Sequence, residues 1–432
     1  MSDSKKVLLI APYFIPRRRV GSLRPFKFAI HLLSLGYTPV ILTIGHQPDH
    51  LTPKERKMLG SIEILSIKSP LDRTSKTNKK GKNKEKTEYS LVEIISSWVD
   101  RHCPIDTWIF LFVLRWGWIK RVVNLTKPDL IMASGDPWSG LWLGEKLSKK
   151  FNVPFVADFR DPWTLGTLRL RERSKFSAGI DKIVERRVIK KADRLIFTSN
   201  QTNKLYTETY QMPSIKSTTI YNSFEPGLMK NSSDSSILSN WDDSKLNILF
   251  LGRFRRLSST SLIVEILNHI QFSDPGTIHQ IRVHSFGMPD KVETERIDEA
   301  GFNLSFIFHD PFDPEEALSI MNCADLLLLS TSRERFNIIP SKLWDYLFSE
   351  VPILSIVPNP EVGEIINETN AGVHFSPNKV VEISEFIIQA VRAKRSGLDL
   401  PVPNKKNMST IREFTSKAAT VKLATIFDEL MN

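Results

Sequence analysis

Residues 246–270 read LNILFLGRFRRLSSTSLIVEILNHI. A short apolar run, LNILFLG, gives way to a turn holding Arg253, Arg255 and Arg256, and the chain then enters a Ser/Thr-started helix whose first turn either Ser258 or Ser259 can cap. Strand, basic turn and helix make one unit of an α/β sheet. The same alternation continues through QIRVHSFG, LSFIFHD, ADLLLLS and VPILSIV. Short apolar strands separated by helices imply a parallel sheet covered on both faces.

The pattern also extends towards the N-terminus. VLLIAPYF from Val7 is followed by SLRPFKFAIHLLSLG, in which Leu23, Phe26, Ile30 and Leu33 recur at helical spacing and Gly36 supplies a stop. PVILTI, DLIMAS, VPFVADF and DRLIFTS are the next candidate strands. From Thr218 to Lys245 the composition turns to Ser, Asn and Asp, which marks a linker. The expected organisation is an α/β domain over 1–222, a linker over 223–245, a second α/β domain over 246–408, and a terminal helix over 409–432. That helix carries Ile411, Phe414, Ala418, Val421 and Ile426 and is expected to return to the first domain.

Composition narrows the function classes. With 432 residues and 41% hydrophobic content the chain can bury two cores. Cys103 and Cys323 stand far apart, so neither a disulfide framework nor a Cys-based zinc site is expected. MSDSKK runs directly into VLLIA without the features of a secretory signal, and the expected location is the cytoplasm. The net charge is +11, and Asp72–Glu88 holds seven bases (Arg73, Lys76, Lys79, Lys80, Lys82, Lys84 and Lys86) and no strong apolar residue. That segment reads as a solvated insertion or as a membrane-surface contact. No aromatics interleave with its bases, and nucleic acid is not an expected partner. The following segment holds Trp98, Trp108, Trp116 and Trp118. Its apolar stretch TWIFLFVL is too short to span a bilayer. It reads as a helix packed on the sheet, or as a face resting in the lipid interface on the inner side of a membrane.

Candidate chemistry collects at strand C-termini, where open α/β sheets hold ligands. RRRVGSLRP carries the single Gly21, which lets backbone approach a ligand, with Arg17, Arg18, Arg19 and Arg24 to balance negative charge. A lone glycine is not a dinucleotide fingerprint. SGDPWSG brings Asp136, and ADFRDPW brings Asp158, Arg160 and Asp161, acids that are costly in a cleft unless paired or used. In the second domain the arginines of LGRFRRLSST sit before a helix N-terminus, a ready diphosphate site. His309 stands near the end of LSFIFHD. Pro340 opens a helix with Ser341, Lys342 and Asp345 in its first turns; a lysine there is electrostatically misplaced unless an anion is near, although a surface Lys–Asp pair accounts for the same residues.

The ordered succession APYF…VGSLRPFKFA, PDLIMASGDPWSG, PFVADFRDPWT, ADRLIFTS, IYNSFEP, ILFLGRF, ADLLLLS and IPSKLWDYLFSEVPILSI resembles family 4 glycosyltransferases, especially those of bacterial exopolysaccharide and surface-polysaccharide assembly. The resemblance implies the GT-B fold, with two Rossmann-like domains facing across a cleft, an acceptor-binding N-terminal domain and a donor-binding C-terminal domain. It implies retaining transfer from a nucleotide sugar to a saccharide or lipid-linked acceptor, with no metal and no cofactor. The family's Glu-x7-Glu pair falls on Asn337 and Asp345, so one carboxylate is lost. Its loop glycine matches Gly21 and its donor-side arginine matches Arg253; the usual partner lysine is missing, and Arg255 or Arg256 takes its place. Asp136 stands near the position of an acceptor-side histidine, and Arg160 where many relatives carry a histidine in the next loop. A GT-B nucleotide-sugar epimerase and a non-catalytic sugar-nucleotide-binding protein are the alternative readings.

Overall fold

The computed structural model describes residues 4–17, 20–68, 98–99, 101–166, 173–229 and 241–431. The basic segment 72–88, Arg18, Arg19 and part of the predicted linker lie outside the described residues. Two compact units are present, one of residues 1–221 with 416–432 and the other of residues 222–415.

In the first unit, β1 (Lys5–Ile10), β2 (Tyr37–Ile44), β3 (Glu63–Ile67), β4 (Leu130–Gly135), β5 (Phe155–Phe159), β6 (Arg194–Phe197) and β7 (Ser217–Thr219) form a seven-stranded sheet in the order β3-β2-β1-β4-β5-β6-β7. All its pairings are parallel. Its helices are α1 (Val20–Leu32), α2 (Pro53–Leu59), α3 (Trp108–Leu114), α4 (Trp116–Thr126), α5 (Ser139–Phe151), α6 (Lys175–Lys191) and α7 (Asn200–Tyr210). Every residue of β4 and β5 is buried, as strands covered by helices on both faces must be.

The second unit repeats the plan. It runs β8 (Leu246–Phe250), α8 (Ser261–Ser273), β9 (Ile281–Phe286), α9 (Lys291–Glu299), β10 (Phe306–His309), α10 (Ala317–Met321), β11 (Leu326–Ser330), α11 (Lys342–Phe348), β12 (Ile353–Ile356), α12 (Pro360–Glu368), β13 (Gly372–Phe375), α13 (Val380–Arg395) and α14 (Met408–Arg412). The six strands are parallel in the order β10-β9-β8-β11-β12-β13.

Register is fixed by aspartates just before strands. The Asp129 carboxylate accepts from Lys6 N, Asp193 from Phe155 N and Asp325 from Asn247 N, each at 2.7 Å. Each one satisfies the first free N–H of the neighbouring strand. These are the aspartates of DLIMAS, DRLIFTS and ADLLLLS.

The last helix, α15 (Ser416–Met431), belongs to the first unit. Asp428 accepts a hydrogen bond from Tyr37 at 2.7 Å and pairs with Lys5 at 3.1 Å, while Phe427 meets the Tyr37 ring edge-on. The chain has already entered the second unit at Asn222. There Phe224 N donates to Phe414 O, and the Phe224 ring stacks on Phe348 at 4.7 Å.

Candidate functional site

In both sheets the strand order reverses beside the first strand, between β1 and β4 and between β8 and β11. Loops leaving the carboxyl ends of those strands form the ligand crevice of an open α/β sheet. Of the predicted residues, Asp136 follows β4, Arg253, Arg255 and Arg256 follow β8, and Asn337 and Ser341 follow β11 ahead of Lys342 and Asp345 in α11; Gly21 is in α1, Asp158 in β5 with Arg160 and Asp161 just after it, and His309 ends β10.

In the first unit the loop after β5 is rigidly held. Asp158 is fully buried, accepts two hydrogen bonds from Arg24 Nε and one from Nη2, and takes a fourth from Ser134 Oγ at 2.9 Å. Arg24 also donates to Ile220 O and Tyr221 O, both at 2.9 Å. Two expectations are corrected by this pair. Arg24 is held inside the fold instead of balancing a ligand's charge, and Asp158, expected among the acceptor-positioning acids, is fully buried and ties α1 to β5. A second buried carboxylate, Glu185, accepts from Tyr206, Tyr210, Thr164 N and Thr164 Oγ1, and so pins the DPWT turn.

Arg160 and Asp136 come together. Arg160 is 8% exposed; its Nε donates to Gly135 O at 3.0 Å, and its Nη2 donates to Asp136 O and pairs with Asp136 Oδ1 at 2.9 Å. The Asp136 side chain is half exposed. Gly21 lies over the same guanidinium, and a Cβ there would fall 2.6 Å from the Arg160 guanidinium carbon. A side chain at 21 would have to displace the Arg160 guanidinium. Asp161 is half-buried, and Arg17 rests 5.6 Å from the centre of the Trp108 ring.

In the second unit the loop after β8 meets the loop after β11. Thr331 Oγ1 and Ser332 N both donate to Leu257 O at 3.1 Å. Lys342 sits 4.0 Å from the Phe250 ring centre, and a Cβ on Gly252, whose φ is +137°, would lie 3.3 Å from Lys342 Cε. Tyr346 sets this geometry: its hydroxyl accepts from Leu251 N at 2.9 Å and donates to Leu328 O at 3.3 Å. Among the described residues no carboxylate pairs with Lys342, Arg255 or Arg335. Burial, then the charges of Arg255 and Arg335, push the Lys342 ammonium down to about 8. Arg335 Nε is buried without a hydrogen-bond partner. Like charges gathered with no carboxylate pairing among the described residues favour a bound anion.

One expected feature is not open to ligand. The N-terminus of α8 is already occupied by a carboxylate, because Glu293, 3% exposed, accepts from Thr260 N at 2.8 Å, Thr260 Oγ1 at 2.7 Å and Ser259 Oγ at 2.8 Å. The cap residue is Thr260, and the predicted helix-dipole site before α8 is thereby corrected. Arg253, on the turn ahead of it, is exposed and 3.4 Å from Asp290; Arg256 is exposed as well.

His309 ends β10, half-buried against Phe286 at 4.9 Å. Its Nε2 is 2.9 Å from His284 Nδ1, and His284 Nε2 is 2.9 Å from Asn247 Oδ1. Asn247 Nδ2 donates to Asp242 O and Lys245 O, leaving Oδ1 to accept from His284 Nε2–H. Burial pushes His284 down to about 3. It is neutral, its Nδ1 accepts from His309, and His309 Nδ1 is left as an acceptor. Asn337 is buried, while Ser341 and Asp345 are half-buried. Arg335, Tyr346, Glu293 and His284 were not singled out by the sequence. A second arginine in TSRERFNIIPSK was the available signal for Arg335.

This architecture has solved counterparts. Sucrose-phosphate synthase from Thermosynechococcus elongatus is 14% identical, with 99% of each chain covered and a TM-score of 0.68. HepE from Anabaena, solved in complex with UDP and glucose, is 13% identical over 99% of this chain and 100% of its own, with a TM-score of 0.65.

The fold is GT-B.

A further GT-B likeness is a glycosyltransferase from Rickettsia africae, at 15% identity over 100% and 99% of the two chains and a TM-score of 0.61. A putative UDP-N-acetylglucosamine 2-epimerase from Listeria monocytogenes is 12% identical over 98% and 95%, with a TM-score of 0.51. The sequence model of Glycosyltransferase Family 4 matches residues 77–227, almost wholly within the first GT-B unit. No curated protein matches the sequence.

Proposed function

We propose that this chain is a retaining, metal-independent glycosyltransferase that moves a sugar from a nucleoside diphosphate sugar to a saccharide or lipid-linked hydroxyl in surface-polysaccharide assembly. The observation that carries the reading is the group of cations Lys342, Arg255 and Arg335 at the switch point of the second sheet, which no carboxylate pairs among the described residues. The Family 4 match and the UDP in HepE support it.

In this reading the bond between the sugar's anomeric carbon and the diphosphate oxygen breaks as the acceptor oxygen bonds to the same face of that carbon. The acceptor's proton passes to the departing phosphate. Lys342, Arg335 and Arg253, with Arg255 or Arg256, stabilise the charge that develops on the diphosphate. Asp345 accepts from the ribose hydroxyls, with Ser341, Asn337 and His309 on the donor side. Gly21 and the Arg160–Asp136 pair serve the first unit's ligand edge, with Asp136 and Asp161 positioning the acceptor hydroxyl.

The likeness to the Listeria epimerase favours one other reading, in which a sugar nucleotide is rearranged and released. Incubation with UDP-, GDP-, dTDP- and ADP-sugars, with and without saccharide and prenyl-phosphate-sugar acceptors, separates the two by mass spectrometry and chromatography. Transfer predicts a glycosylated product and free nucleoside diphosphate, with the anomeric configuration kept. An isomeric sugar nucleotide formed without acceptor would replace transfer by epimerisation, and binding without any turnover would remove catalysis altogether.

A further inference from the structure

Helices α3 and α4 of the first unit present an apolar face that nothing covers among the described residues. Arg115 N donates to Leu111 O and Ile119 N donates to Arg115 O, both at 2.9 Å, so the helical ladder runs through the junction and the two helices keep one register. Phe112, Ile119 and Val123 are buried in the unit's core. The opposite arc presents Phe110, Val113, Leu114, Trp118 and Leu125, exposed by 64, 59, 77, 39 and 71%. Their spacing places them on one stripe. Scattered exposed apolar residues are ordinary on a protein surface, whereas five aligned on one helical face mark an interaction site.

Charge selects the partner. Residues 107–128 contain no Asp or Glu, and carry Arg115, Lys120, Arg121 and Lys127. Arg121 lies within the apolar arc and Arg115 at the helix junction, both exposed, and Lys120 holds its ammonium 5.7 Å from the Trp116 ring centre. A second copy of the same face would bring these bases against one another, which disfavours self-association. Among the described residues no helix is long and apolar enough to cross a membrane.

We propose that α3 and α4 lie flat on an anionic lipid surface, with Phe110, Leu114 and Trp118 at the acyl boundary and Arg115 and Arg121 among the headgroup phosphates. Apolar area and bases act together in such a contact. The inference stands apart from the transfer reading, since it concerns only this face.

The test is co-sedimentation of the full chain with phosphatidylcholine vesicles, with and without one third phosphatidylglycerol. The anionic vesicles should retain the protein, and added salt should release it. Phe110→Ser with Leu114→Ser, and separately Arg115→Glu with Arg121→Glu, should each weaken retention about tenfold or more, with urea midpoints little changed because these side chains are exposed. Equal retention of parent and variants, or none on anionic vesicles, would overturn the proposal. So would concentration-dependent dimerisation removed by the same variants, which would make a second copy the occupant.

Discussion

Lys342 holds its ammonium 4.0 Å from the centre of the Phe250 ring. The contact crosses from the start of α11 to the end of β8 and leaves the charge without a carboxylate among the described residues. Burial and the guanidiniums of Arg255 and Arg335 favour the neutral amine, bringing its titration to about 8, whereas a bound diphosphate favours the ammonium. Binding then takes up a proton above that point. Calorimetric titration of UDP should show affinity falling as pH rises through about 8, and Lys342→Arg should flatten the profile, since arginine stays charged. A pH-independent affinity in the parent would detach Lys342 from the ligand.

Glu293 fills the N-terminus of α8, so that helix contributes no open dipole to a ligand. Glu293→Gln keeps the shape and removes the charge. It should cost about 1–3 kcal/mol in urea unfolding, and change UDP affinity far less than Lys342→Ala does. If the two variants lose affinity equally, the anion site extends to α8.

The Arg24–Asp158 pair is buried and joins residues 134 apart in sequence. Removing one partner strands a charge in the interior. Arg24→Ala should destabilise the chain by about 3–5 kcal/mol in equilibrium urea unfolding, and a loss below about 1 kcal/mol would be that expected of a solvent-screened surface pair.

Gly21 and Gly179 differ in what a methyl group would meet. At Gly21 it meets the Arg160 guanidinium, and at Gly179, within α6, it meets nothing. Gly179→Ala should be neutral or stabilise by up to about 1 kcal/mol through helix propensity. Gly21→Ala should drive Arg160 off Gly135 O and Asp136 and lower transfer activity about tenfold or more, on the scale of a misplaced active-site group. Equal activity in the two variants would separate Arg160 from function.

Most of the fold was legible in the sequence because parallel strands covered on both faces read as continuous apolar runs. The aspartates of DLIMAS, DRLIFTS and ADLLLLS even mark where strands begin. The strands that escaped notice, β3, β7 and β13, are short; β3 and β7 lie at the edges of their sheet and β13 at the edge of its own, where burial is incomplete and the apolar signal weak. The site was legible in part. Lys342 stood out because a lysine at a helix start needs an anion. Arg335 and Glu293 did not, since their importance comes from sheet order, which sets the loop after β11 beside the loop after β8, and from α9 packing on the start of α8. Asp158 looked reactive for the same reason it is structural: a buried acid needs a partner, and the partner lies 134 residues away.

In the proposed function the second unit binds a nucleoside diphosphate sugar through Lys342 and its neighbouring arginines. The most direct test is a thermal-shift and calorimetric screen of UDP-, GDP-, dTDP- and ADP-sugars on the parent, Lys342→Ala, Arg253→Ala and Arg335→Ala chains. One nucleotide class should stabilise the parent, and the Lys342 and Arg335 substitutions should each weaken its binding about ten- to hundredfold. A nucleotide sugar that binds the parent and all three variants with equal affinity would contradict this reading.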